Sequence, residues 1–241
     1  MSPQPPYIIQ PFLGIAEPLS ALSHLFAAAV FAFLAYLLIQ RSRGDGPRIR
    51  AIKLYACSVV ALLLVSGVYH LFARELLVRD IMQRIDHATI FVLIASTFTA
   101  VHTVLLEGIW RSGIIALVWS LAAIGMFISL AFLNTVPESV CLVFYLGLGW
   151  LGLISFALIW RRFGFLFVLP LALGAFAYTL GAIIDFLRAP VLVSGVIGPH
   201  ELFHVAVLAG IGFHWKFVSS FVHRAVAQCP ETRVFQLVVS E

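Results

Sequence analysis

An all-α integral membrane protein, a bundle of seven transmembrane helices, is the fold class this 241-residue sequence predicts, and three observations predict it. Hydrophobic residues make up 62% of the chain and charged residues only 11%, with a mean hydropathy of +1.05, a balance outside the range of soluble domains. Apolar stretches long enough to cross a hydrocarbon core of roughly 30 Å at about 1.5 Å per residue recur along the chain. Short charged or Pro/Gly-bearing breaks separate them.

Seven spans are read at 18–40, 52–73, 86–106, 112–133, 139–160, 164–187 and 199–221. The first is a permanent helix and not a signal peptide, because residues 1–17 carry no Lys or Arg and the apolar run exceeds a signal h-region. Residues 1–17 form a short Pro-rich segment, extended or interfacial, residues 18–222 the seven-helix domain, and residues 223–241 a short polar tail. Seven crossings put the two ends on opposite sides.

Basic residues orient the bundle. On the side of the N-terminus, side A, fall Arg74, Arg79, Arg84 and Arg188, against eleven Lys and Arg on side B: Arg41, Arg43, Arg48, Arg50, Lys53, Arg111, Arg161, Arg162, Lys216, Arg224 and Arg233. The positive-inside rule then places side B in the cytoplasm and the N-terminus outside, in a bacterial-type cytoplasmic membrane. The net charge of +4 belongs to this asymmetry and not to nucleic-acid binding; the basic run Arg41–Arg50 meets anionic headgroups. Cys57, Cys141 and Cys229 are isolated and frame neither a disulfide scaffold nor a thiolate metal site.

Chemistry is therefore sought among the intramembrane polar residues. The seventh span opens with His200-Glu201-Leu202-Phe203-His204 after Pro199, which sets two imidazoles four apart on one helix face. Such a pair is costly in a bilayer unless something binds it, and neutral imidazole is a common zinc ligand. Zinc needs a third ligand, and the second span ends in Ser66-Gly67-Val68-Tyr69-His70, where Ser66 and His70 again share a face. The third span opens with Asp86-His87. Counting crossings brings His70, Asp86, His200 and His204 to one leaflet, together with Glu17 and His24. Competing bland readings are a headgroup-seeking His70, a Ser66 bonded to its own helix, an Asp86 that caps the third helix and an Asp185–Arg188 loop ion pair. His87 points elsewhere, and His102, His214 and His223 are read as interfacial on side B.

A Ser-x-x-x-His closing the second helix, an Asp-His opening the third and a His-x-x-x-His opening the seventh resemble the hemolysin III branch of the progestin and adiponectin receptor family, whose superfamily includes alkaline ceramidases. The segment from Glu17 to His24 is similar to that family's Glu…Asn…Thr/Ser-His element, with Ser20 where Asn is usual. The resemblance implies that His70, His200 and His204 bind Zn2+ while Ser66 and Asp86 line the water it activates. It also implies hydrolysis of a lipid amide or ester, ceramide-like amides being the family-based substrate, with membrane lipids as substrate or ligand. Family receptors of adiponectin type have a cytoplasmic N-terminus; the charge count here argues the reverse.

Three histidines with an open fourth position describe a catalytic zinc. Asp86 would shuttle the proton of water and Ser66 would support the water or the developing oxyanion. Glu201 competes for the proton-handling role, since soluble His-Glu-x-x-His hydrolases use that carboxylate. A site-2-type protease would need a carboxylate ligand from a later helix, and none follows the last span. The alternatives from other classes are a non-enzymatic receptor with a structural zinc and a pore-forming hemolysin; a pore needs a polar lumen, and the spans show no repeated polar stripe.

Overall fold

The computed structural model describes residues 8–42 and 44–222. The opening residues through Tyr7, Arg43, and the tail with His223, Arg224, Cys229 and Arg233 lie outside the described residues. Eight helices follow in order: α1 Pro18–Arg41, α2 Gly46–Tyr69, α3 Leu77–Leu105, α4 Gly108–Phe132, α5 Glu138–Trp150, α6 Gly152–Phe163, α7 Phe165–Leu187 and α8 Pro199–Phe221. Seven stretches are long and apolar enough to cross a membrane, α5 and α6 together supplying the fifth, Ser139–Phe163. Among the described residues there is no strand, only the isolated bridges Phe12–Ile15 and Val193–Ile197.

Local chemistry sets the helix ends. Pro stands at the first turn of α1, α2 and α8, where its missing N–H is no loss. Asp45 caps α2 by accepting the Arg48 N–H at 3.1 Å, and the Ser42 hydroxyl closes α1 on the Leu38 carbonyl at 2.8 Å. Between α6 and α7 the chain reverses on Gly164 alone, at φ +87°, a left-handed conformation that Gly adopts without a Cβ penalty. Two boundaries differ from the sequence reading. The third span begins nine residues earlier than expected, at Leu77, because the charged turn of Arg79, Asp80 and Arg84 is helical as well. The fifth is divided at Leu151, where Gly147, Gly149 and Gly152 weaken helix propensity within six residues.

Large apolar side chains such as Phe26, Phe33, Phe127, Leu166 and Phe176 are exposed around the bundle, as a chain solvated by lipid requires. Inside, α2, α3 and α8 supply a core that includes Tyr55, Val59, Leu63, Val101, Ile211 and Phe217. In lipid the close approach of helices depends on small residues at the contact. Gly67 shows this at the α1–α2 crossing: a Cβ there would sit 2.7 Å from Leu25 Cγ and 3.0 Å from the Leu25 backbone nitrogen. Gly67→Ala is expected to cost about 1–3 kcal/mol through overpacking, read as a lower midpoint of thermal unfolding in detergent; an unchanged midpoint would mean α1 yields freely.

His102 and His214, read from sequence as interfacial, find partners inside the bundle. His102 is fully buried, with Nε2 2.7 Å from Ser155 Oγ and Nδ1 2.6 Å from the Trp110 carbonyl, and so joins α3 to α4 and α6. His214 bonds the Leu171 carbonyl at 3.3 Å and ties α8 to α7. Imidazoles inside a membrane bundle need hydrogen-bond partners, and neighbouring helices supply them here.

Candidate metal centre

The end of α2, the first third of α3, the end of α7 and the beginnings of α1 and α8 meet at side A. His70 is the C-cap of α2, its N–H bonded to the Ser66 carbonyl. His200 and His204 occupy the first turns of α8, behind the turn that Glu201 closes by accepting the Gly198 N–H at 3.0 Å. The three rings pack with centroids 4.5 Å apart for His70 and His204, 4.6 Å for His200 and His204, and 5.3 Å for His70 and His200. One ligand atom from each falls within 4.8 Å of the other two. His70 and His204 are buried and His200 is half-buried.

The donor set fits a metal ion. His204 Nε2 and His200 Nε2 lie 3.0 Å apart, close to the separation of about 3.3 Å that two nitrogens take at bond lengths of about 2.0–2.1 Å around a tetrahedral zinc. His70 Nε2 is buried and has no hydrogen-bond partner among the described residues. A buried polar atom left without a partner costs roughly 1–3 kcal/mol, and a ligand between the three rings would remove that penalty. His70 is 1% exposed, which excludes the snorkelling alternative.

Every Nδ1 of the triad faces a partner. His70 Nδ1 is hydrogen-bonded to Glu17 Oε2, His200 Nδ1 lies 3.2 Å from Asp185 Oδ1, and His204 Nδ1 lies 3.0 Å from His24 Nε2. Asp185 Oδ1 also lies 3.9 Å from Arg188 Nη1, so the loop ion pair expected from sequence is present and the same carboxylate serves His200. Nothing local signals this interaction, because Asp185 and His200 are separated by the 188–198 loop and only the packing of α7 on α8 brings them together. Counting crossings places Glu17 and His24 on the correct side, but nothing in their spacing indicates which histidine each meets.

Asp86 is buried in α3, nine residues past its start at Leu77, so it is not a cap. Ser66, on α2, faces its carboxylate across the α2–α3 contact. His87, on the neighbouring face, is 2.9 Å from the Tyr145 hydroxyl. Glu201 is 2% exposed and is engaged on both oxygens, by the Gly198 N–H and by the Ser20 hydroxyl at 3.3 Å. Ser20 thus has a partner in α8.

Known proteins resemble the chain over most of its length. A family model described as haemolysin-III related matches residues 12–215, which include all five candidate residues. Hemolysin-3 of Bacillus cereus is 28% identical over 197 residues, covering 80% of this chain and 86% of that protein. The hemolysin-3 homolog of Bacillus subtilis strain 168 is 26% identical over 179 residues, covering 74% of this chain and 80% of the homolog.

Proposed function

This chain belongs to the haemolysin-III related family of multi-pass membrane proteins, and on that premise we propose that it is a zinc-dependent hydrolase of an amide or ester bond in a lipid. The observation that carries the reading is the convergence of His70, His200 and His204 with each Nδ1 engaged and a buried, unpartnered His70 Nε2. Three imidazoles, with no fourth protein ligand among the described residues, make a donor set suited to catalysis. When bound there, zinc supplies Lewis acidity toward a carbonyl oxygen and toward water.

The remaining steps fall to the chain's own groups. Asp86, beside the Ser66 hydroxyl, takes a proton from the attacking water and returns it to the leaving amine or alcohol. Ser66 stands beside that carboxylate to donate toward the oxyanion as the carbonyl becomes tetrahedral. Glu201 has both oxygens committed to the start of α8 and to Ser20, which leaves Asp86 as the proton acceptor. The apolar outer surface of the bundle lets a lipid substrate arrive laterally from the leaflet.

Orientation follows from charge. The N-terminus and the histidine site lie on the outer side of a cytoplasmic-type membrane, with the C-terminus inside; an N-terminal epitope tag should be reached by antibody in intact spheroplasts, and protection of that tag until lysis would reverse the assignment. The function itself is tested on protein purified in detergent without chelators. Elemental analysis is expected to find about one zinc per chain, and that protein is expected to hydrolyse members of a panel of lipid amides and esters. Absence of metal would overturn the zinc reading; metal without turnover on any substrate would favour a structural zinc in a receptor.

A further inference from the structure

The three metal-facing rings are supported unequally. Asp185 and His24 each meet one ring through a side chain, whereas Glu17 holds His70 by side chain and backbone together. Its Oε2 bonds the ring Nδ1, and its backbone N–H donates to the His70 carbonyl at 3.1 Å. Oε1 of the same carboxylate accepts from Arg79 Nη2 at 2.7 Å and from Arg74 Nη2 at 3.1 Å. Arg79 is itself buried, donates to the Phe72 carbonyl and lies over the Tyr69 ring at 4.6 Å. The carboxylate is therefore held in place by Arg74 of the α2–α3 turn and Arg79 of the first turn of α3, and the histidine ring it meets has little freedom to rotate.

Glu17 is also the last residue of a strap that crosses side A ahead of α1. Leu13 and Gly14, both at positive φ, turn the chain so that Phe12 and Ile15 pair at 3.0 and 3.1 Å. Ala16 N–H donates to the Leu71 carbonyl at 3.3 Å, and Gln10 N–H to the Gly195 carbonyl in the α7–α8 loop at 2.8 Å. Residues 10–17 thus join the two ends of the bundle from which the histidines come, the end of α2 and the loop preceding α8.

We propose that Glu17 is the positioning residue of the metal centre and that, through it, metal binding and the seating of the strap 10–17 are thermodynamically linked. The proposal rests on the metal reading of His70, His200 and His204. A carboxylate accepting from Nδ1 keeps the proton on that nitrogen and leaves Nε2 as the metal-binding atom. Because the same residue hydrogen-bonds His70 through its backbone, unseating the strap removes both restraints on the ring. Linkage is reciprocal: whatever the strap contributes to metal affinity, bound metal contributes to strap closure. Asp185 provides the internal contrast, since it supports His200 without belonging to the strap.

The test uses full-length protein in detergent with Zn2+ as the only added probe. Metal affinity is read by competition with a chromophoric chelator, and strap closure by hydrogen exchange of the peptide containing residues 10–17, with and without zinc. Glu17→Gln keeps the side-chain shape and removes the charge. It is expected to weaken zinc binding about 10–100-fold and to raise strap exchange, with zinc no longer slowing it as it does in wild type. Asp185→Asn is expected to weaken zinc binding while leaving strap exchange of the zinc-loaded protein as in wild type. Ser58→Ala, at a hydroxyl bonded to Ser96 and to the Tyr55 carbonyl of its own helix, should change neither. Wild-type affinity in Glu17→Gln, or strap exchange indifferent to zinc in wild type, would overturn the linkage while the metal reading stood. A wild-type protein that binds no zinc would overturn both.

Discussion

His204→Ala is expected to abolish metal binding, from about one zinc per chain to none detectable, while the protein still inserts and stays monodisperse. His204 is the ring at the centre of the cluster: its Nε2 faces His200 and its Nδ1 faces His24, and its centroid is 4.5 Å from that of His70. Removing it deletes one of three ligand atoms and leaves two, too few for a tetrahedral site that relies on three protein donors. Truncation of a buried side chain costs about 2–5 kcal/mol in soluble cores, so matched thermal unfolding of the apo wild type serves as the reference. Turnover on the lipid panel should vanish with the metal, and His70→Ala should behave alike. A pore would continue to release dye from vesicles after the same substitution. Retention of zinc in His204→Ala would remove the three-histidine centre from consideration.

Asp86→Asn is expected to separate chemistry from metal binding. The carboxylate lies in α3, beside Ser66, and belongs to none of the three ligand rings. An amide of the same shape keeps the packing beside Ser66 but cannot accept the proton of water. The rate of the chemical step should therefore fall about 10²–10⁴-fold with zinc content and substrate KM near wild type. Glu201→Gln provides the comparison. Its carboxylate is used by Gly198 and Ser20, so the expected loss is in stability, of the order of 0.5–2 kcal/mol for a weakened helix cap, and not in the proton-transfer step. If Glu201→Gln lost turnover with its fold and metal intact while Asp86→Asn kept it, the two roles would be exchanged.

Much of the candidate site is legible in the amino-acid sequence. A four-residue spacing that any helix honours pairs His200 with His204, and His70 and Asp86 join them by counting crossings, which needs only the number of spans and their order. The same count places Glu17 and His24 on the correct side. What it does not supply is pairing. Parity assigns a residue to a leaflet, but partners within that leaflet depend on which helices touch and how each is rotated. Glu17 meets His70 because the strap folds back onto the end of α2, and Asp185 meets His200 because α7 and α8 pack side by side. Sequence proximity favours Arg188, three residues from Asp185, over a histidine fifteen residues away. It likewise gives no sign that α4 and α6 close over His102 with Trp110 and Ser155.

The sequence by itself determined the solvent, the number of crossings and the face on which the polar chemistry gathers. These follow from hydropathy and helical period, properties that each segment carries independently of its neighbours. Only the tertiary structure decided which nitrogen of each histidine is available to a metal, which carboxylate is committed to capping α8 and which is left beside Ser66. Those outcomes depend on hydrogen bonds between groups far apart in the chain, such as His70 with Glu17 at a separation of 53 residues and His204 with His24 at 180. In a medium with no water to satisfy a buried polar group, the packing of helices determines which partners those groups find.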